Sequence, residues 1–253
     1  MPAGFQSFYA EGMVQTTNDF RAFSLIKSGT LYNSSFRTTN TTSDSQGISF
    51  AVLSAPELPY KRSGLLVFIK NYADTDRVAV LYGQDAVLVY KWHNIALSSR
   101  GIDYYMFAQV ERPQGNSGFQ LWDGKGSRIE NLMLDSSWHL LVINKMVEIP
   151  SNQPPLIISS ATNGTYKTSG LGVLSTEAYC IPSPRSVMYG PSSIEVRLFE
   201  GAWISEGEIK VNWIAQDGTG YAGMRYTGYT NSASKGMILT CATAHLPIPY
   251  TLT

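Results

Sequence analysis

The sequence predicts an all-β protein built from antiparallel strands, with little helix. Apolar and polar residues alternate with the period of two that a β-strand requires, whereas the helical period of about 3.6 residues is almost never sustained. The 22 Gly and 12 Pro residues interrupt these runs at short intervals, as is typical of β-sandwiches. We therefore expect two β-sandwich-like domains.

The clearest local unit is a β-hairpin over residues 77–92. Its two β-branched runs, RVAVLY and AVLVYKW, flank a three-residue connection with the sequence GQD, a length typical of a bulged hairpin. Further strands are predicted at Leu65–Ile69 and Tyr104–Val110, in the same sheet system as the hairpin. Residues 194–198 and 209–213 alternate apolar with charged or polar residues, which predicts strands with one buried face.

A proline-rich segment marks the predicted domain boundary. Residues 149–155 contain three prolines, which have no amide proton to donate to a strand ladder. We place the boundary here, which gives an N-terminal domain over residues 1–150 and a C-terminal domain over residues 151–253. The alternative is a long loop inside one sandwich. The polar residues 33–46 are predicted to form an exposed loop or a weak edge strand.

The charge composition argues against a strongly charged partner. Lys plus Arg and Asp plus Glu number 19 each, and charged residues make up only 15% of the chain. Neither a nucleic acid nor an anionic membrane is therefore expected as a partner. The sequence contains no apolar run of the roughly 18–20 residues that a membrane-spanning helix needs. No signal peptide is recognisable at the N-terminus, so we expect synthesis in the cytoplasm.

Motifs that carry chemistry are missing from the sequence. It has no GxSxG nucleophile elbow, and no glycine-rich nucleotide loop follows a predicted strand and opens a helix. The three histidines, His93, His139 and His245, have no metal-ligand spacing. Cys180 and Cys241 are expected to be buried free thiols, with a disulfide as the alternative. We therefore predict that the chain is not an enzyme and binds no cofactor or metal.

The first half of the chain contains an internal repeat. Residues 4–12 (GFQSFYAEG) recur as residues 118–126 (GFQLWDGKG), with the GFQ triplet and the last glycine identical. Each copy is predicted to form a strand, a tight turn closed by glycine and a returning strand. A duplicated hairpin is a device for building structure, and it carries no reactive group.

With these motifs, the chain resembles a family of structural proteins of tailed bacteriophages, encoded among tail-tip and tail-fibre genes. The resemblance covers roughly residues 1–143. It rests on the opening MPAGFQSF, on LIKSGT at residues 25–30, and on YYMF at residues 104–107, which leads into GFQLW and an Asp-Ser pair at Asp135. Residues after 143 match no family pattern.

The resemblance implies a component of the virion tail, made in the cytoplasm of the host bacterium, with no catalytic residues to carry over. The N-terminal domain would dock onto other tail or baseplate proteins and the C-terminal domain would project from them. A homo-oligomer is expected, with a trimer as the first stoichiometry to test. The alternative functions are a receptor-binding module for a host glycan or pilus and, third, a polysaccharide depolymerase.

Aromatic residues among polar or glycine-rich neighbours are the candidates for an interaction surface, because rigid amphipathic rings suit recognition. Two tryptophans lie near predicted strand ends, and three tyrosines lie in the segment GTGYAGMRYTGYTNSASKG at residues 218–236. The candidates are Trp92, Trp122, Tyr221, Tyr226 and Tyr229. The alternatives are that the tryptophans belong to the core and that the glycine-rich segment is a strand buried against a neighbouring subunit.

Overall fold

The chain folds into β-strands, with one turn of 3₁₀ helix at Asn33–Ser35 and no α-helix in the part of the chain that the computed structural model describes. The described residues are 6–8, 14–17, 22–39, 48–57, 62–83, 86–91, 95–110, 120–122, 132–135, 138–149, 167–173, 175–190, 196–215, 226–229 and 236–252. The strands are β1 (Gln6–Phe8), β2 (Val14–Thr17), β3 (Phe23–Leu31), β4 (Arg37–Thr39), β5 (Ile48–Ser54), β6 (Arg62–Lys70), β7 (Val78–Tyr82), β8 (Ala86–Lys91), β9 (Ile102–Val110), β10 (Gln120–Trp122), β11 (Leu132–Asp135), β12 (Ile143–Ile149), β13 (Lys167–Gly172), β14 (Glu177–Cys180), β15 (Ser186–Tyr189), β16 (Val196–Ser205), β17 (Glu208–Ala215), β18 (Tyr226–Tyr229), β19 (Gly236–Ala242) and β20 (Tyr250–Thr251).

Two antiparallel sheets contain most of these strands and pack against each other, which confirms the all-β prediction. The seven-stranded sheet has the order β12-β19-β14-β6-β9-β3-β20. The nine-stranded sheet has the order β13-β17-β16-β7-β8-β5-β4, and β15 joins β18 to β16. Among the described residues, no helix is long and apolar enough to span a bilayer.

The main core lies between the two sheets, because alternate residues of each strand point to the facing sheet. Fully buried side chains from the seven-stranded sheet meet those of the nine-stranded sheet there. They include Ile26, Val67, Ile69, Ile102 and Met106 on one side and Val78, Val87, Val89, Ile209 and Val211 on the other. The residues that alternate with them form two further apolar clusters on the outer faces of the sheets. Several strands are therefore apolar on both faces.

The division into two domains at residue 150 is corrected by the strand pairing. β14 pairs with β6 and β20 pairs with β3 in one sheet, while β16 pairs with β7 in the other. Each of these pairs joins a strand from before residue 150 to a strand from after it. The main core likewise combines residues from both parts. A proline-rich segment marks a break in strand pairing, but it does not determine whether the strands on either side share a sheet.

The strand pairing of the predicted hairpin is confirmed, since β7 and β8 pair in antiparallel register from Val78–Lys91 to Tyr82–Val87. Gln84 and Asp85 of its connection and Trp92 lie outside the described residues. β6 and β9, however, lie in the seven-stranded sheet and not beside this hairpin. Local patterns specify that a segment is a strand, whereas its partner depends on long-range contacts. The polar stretch after residue 33 includes β4, a three-residue strand at the sheet edge.

The internal repeat corresponds to two matching strand pairs. β1 pairs with β2 and β10 pairs with β11, both antiparallel and each in a sheet of its own. The register shifts in both pairs immediately before the aromatic residue, Phe8 in the first copy and Trp122 in the second. A register shift at the same place indicates a bulge in both copies. The predicted duplication of a strand pair is therefore confirmed, while the turns lie outside the described residues.

We predict that Gly201→Ala destabilises the fold where strands from the two parts of the chain meet. Gly201 of β16 pairs with Ala79 of β7, and a Cβ atom there would lie 2.7 Å from the carbonyl oxygen of Val78 and overlap the side chain of Ile214. We expect a loss of about 1–3 kcal/mol in the free energy of unfolding, measured by urea denaturation.

The matched control is Gly172→Ala, because Gly172 is exposed in β13 and its new Cβ would have its nearest neighbour 4.0 Å away. This variant should unfold within about 0.5 kcal/mol of the unaltered chain. Equal unfolding midpoints for Gly201→Ala and Gly172→Ala would contradict the close approach of β16 to β7.

Candidate functional site

The candidate aromatic residues fall on different parts of the structure. Trp92 and Tyr221 lie outside the described residues. Trp122 ends β10, whose described partner is β11 alone, while Tyr226 and Tyr229 are the first and last residues of β18 in the nine-stranded sheet. Tyr226 and Tyr229 therefore lie on one short strand, and no described strand pairing joins them to Trp122.

β18 is a peripheral strand, since it reaches the nine-stranded sheet only through β15 within the described residues. Tyr226 pairs with Tyr189, and Tyr229 pairs with Val187. Tyr189 is therefore an additional aromatic residue at this position, and it is not among the candidates predicted from the sequence. The sequence contains little signal for it, because β15 (SVMY) is short and does not alternate polar and apolar residues.

The two histidines that the structure describes give no sign of a metal site. His139 packs edge-on against the ring of Tyr250, with the ring centroids 5.2 Å apart. His245 is exposed, and His93 lies outside the described residues. In the described ranges, no group of three or more His, Cys, Asp or Glu side chains is placed to hold a metal ion.

Both cysteines are buried free thiols, as predicted. In the β14–β19 ladder Cys241 pairs with Ala178 and Cys180 pairs with Leu239, so the two thiols are diagonal neighbours. Diagonal neighbours lie roughly 7–8 Å apart, which exceeds the separation that a disulfide spans. Burial raises the pKa of Cys180 to about 12 and also raises the pKa of Cys241 well above its usual value. Neither thiol is therefore a reactive thiolate at neutral pH.

A buried ion pair ties β16 to the segment before β15. The guanidinium of Arg185 donates to both carboxylate oxygens of Glu200, and the backbone amide of Arg185 also donates to Glu200 Oε2 at 3.2 Å. Both residues are buried. A cavity beside Glu200, lined mainly by apolar side chains, has room for about one water molecule. Because a substrate needs far more space, this pair is best explained as a structural contact.

A single buried carboxylate holds two loops together at one end of the sandwich. Asp76, at the end of the β6–β7 connection, has no exposed surface. Its Oδ2 accepts hydrogen bonds from the backbone amides of Tyr72 and Ala73 at 3.0 and 2.9 Å. Ser98, in the segment before β9, donates its amide to Oδ1 at 2.7 Å and its hydroxyl to Oδ2 at 2.9 Å. The loops that carry Tyr72 and Ser98 are thereby fixed relative to each other.

The outer face of the nine-stranded sheet is apolar across neighbouring strands. Val52 of β5 pairs with Leu88 of β8, and Leu88 pairs with Leu81 of β7. In the next row Phe50 pairs with Tyr90, whose ring stacks on that of Phe199 at 5.2 Å. We call Phe50, Val52, Leu81, Leu88 and Tyr90 the outer apolar face.

Part of this outer apolar face is open to solvent. Val52 is 48% exposed, and Phe50, Leu81 and Leu88 are partly exposed. These residues are not among the candidates predicted from the sequence, although the sequence contains a signal for them. β5, β7 and β8 are nearly continuous apolar runs, ISFAVLS, VAVLY and AVLVYK. A strand with one solvent-exposed face would instead alternate apolar and polar residues.

In comparisons with protein-family models, curated proteins and solved structures, no significant match to the chain was found.

We predict that the two thiols are unreactive in the folded protein. Cys180 and Cys241 are buried and their pKa values are raised, so the neutral form is favoured. At pH 7, a thiol reagent such as dithionitrobenzoate should react with both thiols at least about a hundredfold more slowly in the native protein than in the denatured protein. Rapid labelling of either thiol without denaturant would contradict their placement in the core.

We predict that Asp76→Asn destabilises the protein, because an amide would replace one acceptor oxygen by a donor that faces other donors. A loss of roughly 2–4 kcal/mol is expected from urea denaturation. Asp74→Asn is the matched control, since Asp74 is exposed and its one described contact uses its backbone oxygen. Equal stability of the two variants would show that the Asp76 carboxylate does not hold the loops.

Proposed function

We propose that this chain is a structural component of a bacteriophage tail tip or tail fibre, which contributes to tail assembly and host attachment and catalyses no reaction. From the sequence, the proposal is supported by the resemblance of roughly residues 1–143 to tailed-phage structural proteins. From the structure, it is supported by the use of buried polar groups in internal contacts. The Cys180 thiol contacts the Tyr82 hydroxyl at 3.2 Å, and Arg185 and Glu200 bind each other.

The outer apolar face is the observation that carries the proposal. Its residues lie side by side on three neighbouring strands, and Val52 of β5 is the most exposed of them. Apolar surface that neighbouring residues present together favours burial against another protein. A sheet is also well suited to shape complementarity, because the strand ladder holds its side chains in place. A protein that works through assembly requires such a surface.

The proposed partner of this face is another protein subunit, either a second copy of this chain or a neighbouring tail or baseplate protein. Tail structures are symmetric assemblies, so a homo-oligomer is expected and a trimer is the first stoichiometry to test. The proposed location is the tail of the virion, after synthesis in the host cytoplasm.

Purified virions of a phage that encodes this chain test the proposal directly. Mass spectrometry should detect the chain in the particles at a constant ratio to other tail proteins, and immunogold electron microscopy should label one end of the tail. Particles that assemble and infect normally without the chain would contradict the proposal, as would its absence from purified particles.

We predict that Val52→Lys weakens assembly through the outer apolar face. A lysine at this exposed position of an apolar contact leaves a charge to be desolvated on association. The amount incorporated into virions, or the oligomer fraction by light scattering, should fall at least about tenfold, which corresponds to about 1.4 kcal/mol of association free energy. Val52 is 48% exposed, so the fold itself should be retained, as monitored by circular dichroism.

Met146→Lys is the control, because Met146 is an apolar residue of similar exposure, 53%, on the other sheet. This variant should assemble like the unaltered chain. A loss of assembly in both variants, or in neither, would show that the outer apolar face is not the interface.

A further inference from the structure

Two cations and one carboxylate lie together at one end of the seven-stranded sheet. Lys70 of β6 and Thr30 of β3 are the two strand partners of Asp103 in β9. Because paired residues of neighbouring strands share a face, these three side chains stand in one row. Arg100 lies just before β9 and Tyr72 just after β6, so both reach the same end of the sheet.

Asp103 is engaged within the protein. The hydroxyl of Thr30 donates to Oδ1 at 2.7 Å, and the hydroxyl of Tyr72 donates to Oδ2. Burial and the hydrogen bond to Asp103 raise the pKa of Tyr72, so its hydroxyl is a neutral donor. Asp103 therefore fixes the position of the Tyr72 ring.

Arg100 lies over that ring. Its Cζ is 3.6 Å from the ring centroid of Tyr72, the distance of a close cation–π contact. Within the part of the chain that the structure describes, the Arg100 guanidinium makes no hydrogen bond or ion pair, and its side chain is exposed. Stacking holds the plane of the guanidinium and leaves the N–H groups at its edge free to donate in the fork geometry that fits carboxylate and phosphate groups.

Lys70 is the second cation. Its Nζ is 5.7 Å from the same ring centroid and donates to Thr243 Oγ1 at 3.4 Å, with no carboxylate at ion-pair distance among the described residues. The pKa of Lys70 lies below its usual value, chiefly because the side chain is buried. The charge of Asp103 opposes this shift, and the charge of Arg100 adds to it. An anion placed between Lys70 and Arg100 would offset both the burial and the mutual repulsion.

The loops that carry these groups are preorganised by Asp76. Its carboxylate binds the amide of Tyr72 and both the amide and the hydroxyl of Ser98, two residues before Arg100. Asn71, beside Lys70, is anchored to β16 by its side-chain oxygen, which accepts from the amide of Ile204 at 2.7 Å. A ligand would therefore order few additional groups on binding, which lowers the entropic cost of association.

From this geometry we propose that Lys70 and Arg100 form a binding site for one oxyanion group, a carboxylate or a phosphate, of an external ligand. Arg100 would bind the group through the edge of its guanidinium and Lys70 would contribute the second positive charge. The proposal depends only on these contacts and is independent of the proposed function. In a protein of the phage tail, such a site would suit the acidic groups of a host surface glycan.

Isothermal titration of the full chain at low salt tests this proposal, with galacturonic acid, glucose 1-phosphate and neutral glucose as probes. We expect saturable binding of at least one acidic sugar, with a dissociation constant on the order of 1 mM, and no binding of glucose. Which acidic sugar binds distinguishes a carboxylate site from a phosphate site. Raising the salt to about 0.5 M should weaken the binding several-fold, since partly exposed charges are screened.

Arg100→Gln should weaken binding at least about tenfold, the loss expected for a charge-assisted bidentate contact, and Lys70→Met should weaken it several-fold. Arg197→Gln is the matched control, because Arg197 is an exposed arginine on the other sheet. Its affinity should equal that of the unaltered chain. The proposal is overturned if neither acidic sugar binds, or if Arg100→Gln and Arg197→Gln bind alike. Circular dichroism confirms the fold of each variant.

Discussion

Burial of one strand on both of its faces is the constraint on which the rest of the structure depends. Every residue from Ile102 to Ala108 in β9 is buried. Ile102, Tyr104 and Met106 enter the core between the sheets, while the alternating Tyr105 and Phe107 enter the cluster on the outer face. β3 and β6 flank this strand, and each contributes residues to both clusters. A one-residue slip in register would place Asp103 in the core, so the register is strongly specified.

Buried polar groups then connect the loops and sheets at defined points. Asp76 joins two connections at one end of the sandwich, and the Arg185–Glu200 pair joins the segment before β15 to β16. Removing either partner of such a contact leaves a buried group unsatisfied, which costs more than the contact itself contributes. These groups therefore position the backbone, because their charges and hydrogen bonds are directed at other groups of the same chain.

The two proposed binding surfaces consist of groups that the packing of the sheets leaves exposed or without a described ion-pair partner. The outer apolar face exists because β5, β7 and β8 are apolar on both sides while only one side faces the other sheet. The proposed oxyanion site exists because Asp103 binds Tyr72 and Thr30 and leaves the charge of Arg100 unpaired among the described groups. Both proposals assign the protein a role in recognition, and neither requires a bond to be made or broken.

The sequence by itself determined the fold class, the β7–β8 hairpin and the duplicated strand pairs, because each depends on local pattern or composition. Buried free thiols were expected for Cys180 and Cys241, but only the register of β14 on β19 decided against a disulfide. The nearly continuous apolar runs of β5, β7 and β8, which form the outer apolar face, are also visible in the sequence. Only the tertiary structure decided that strands from both sides of residue 150 share two sheets. It alone placed Arg100 on Tyr72 and Lys70 beside Asp103. Strand partners and loop contacts join residues far apart in the chain, and a local pattern cannot specify which distant segment satisfies it.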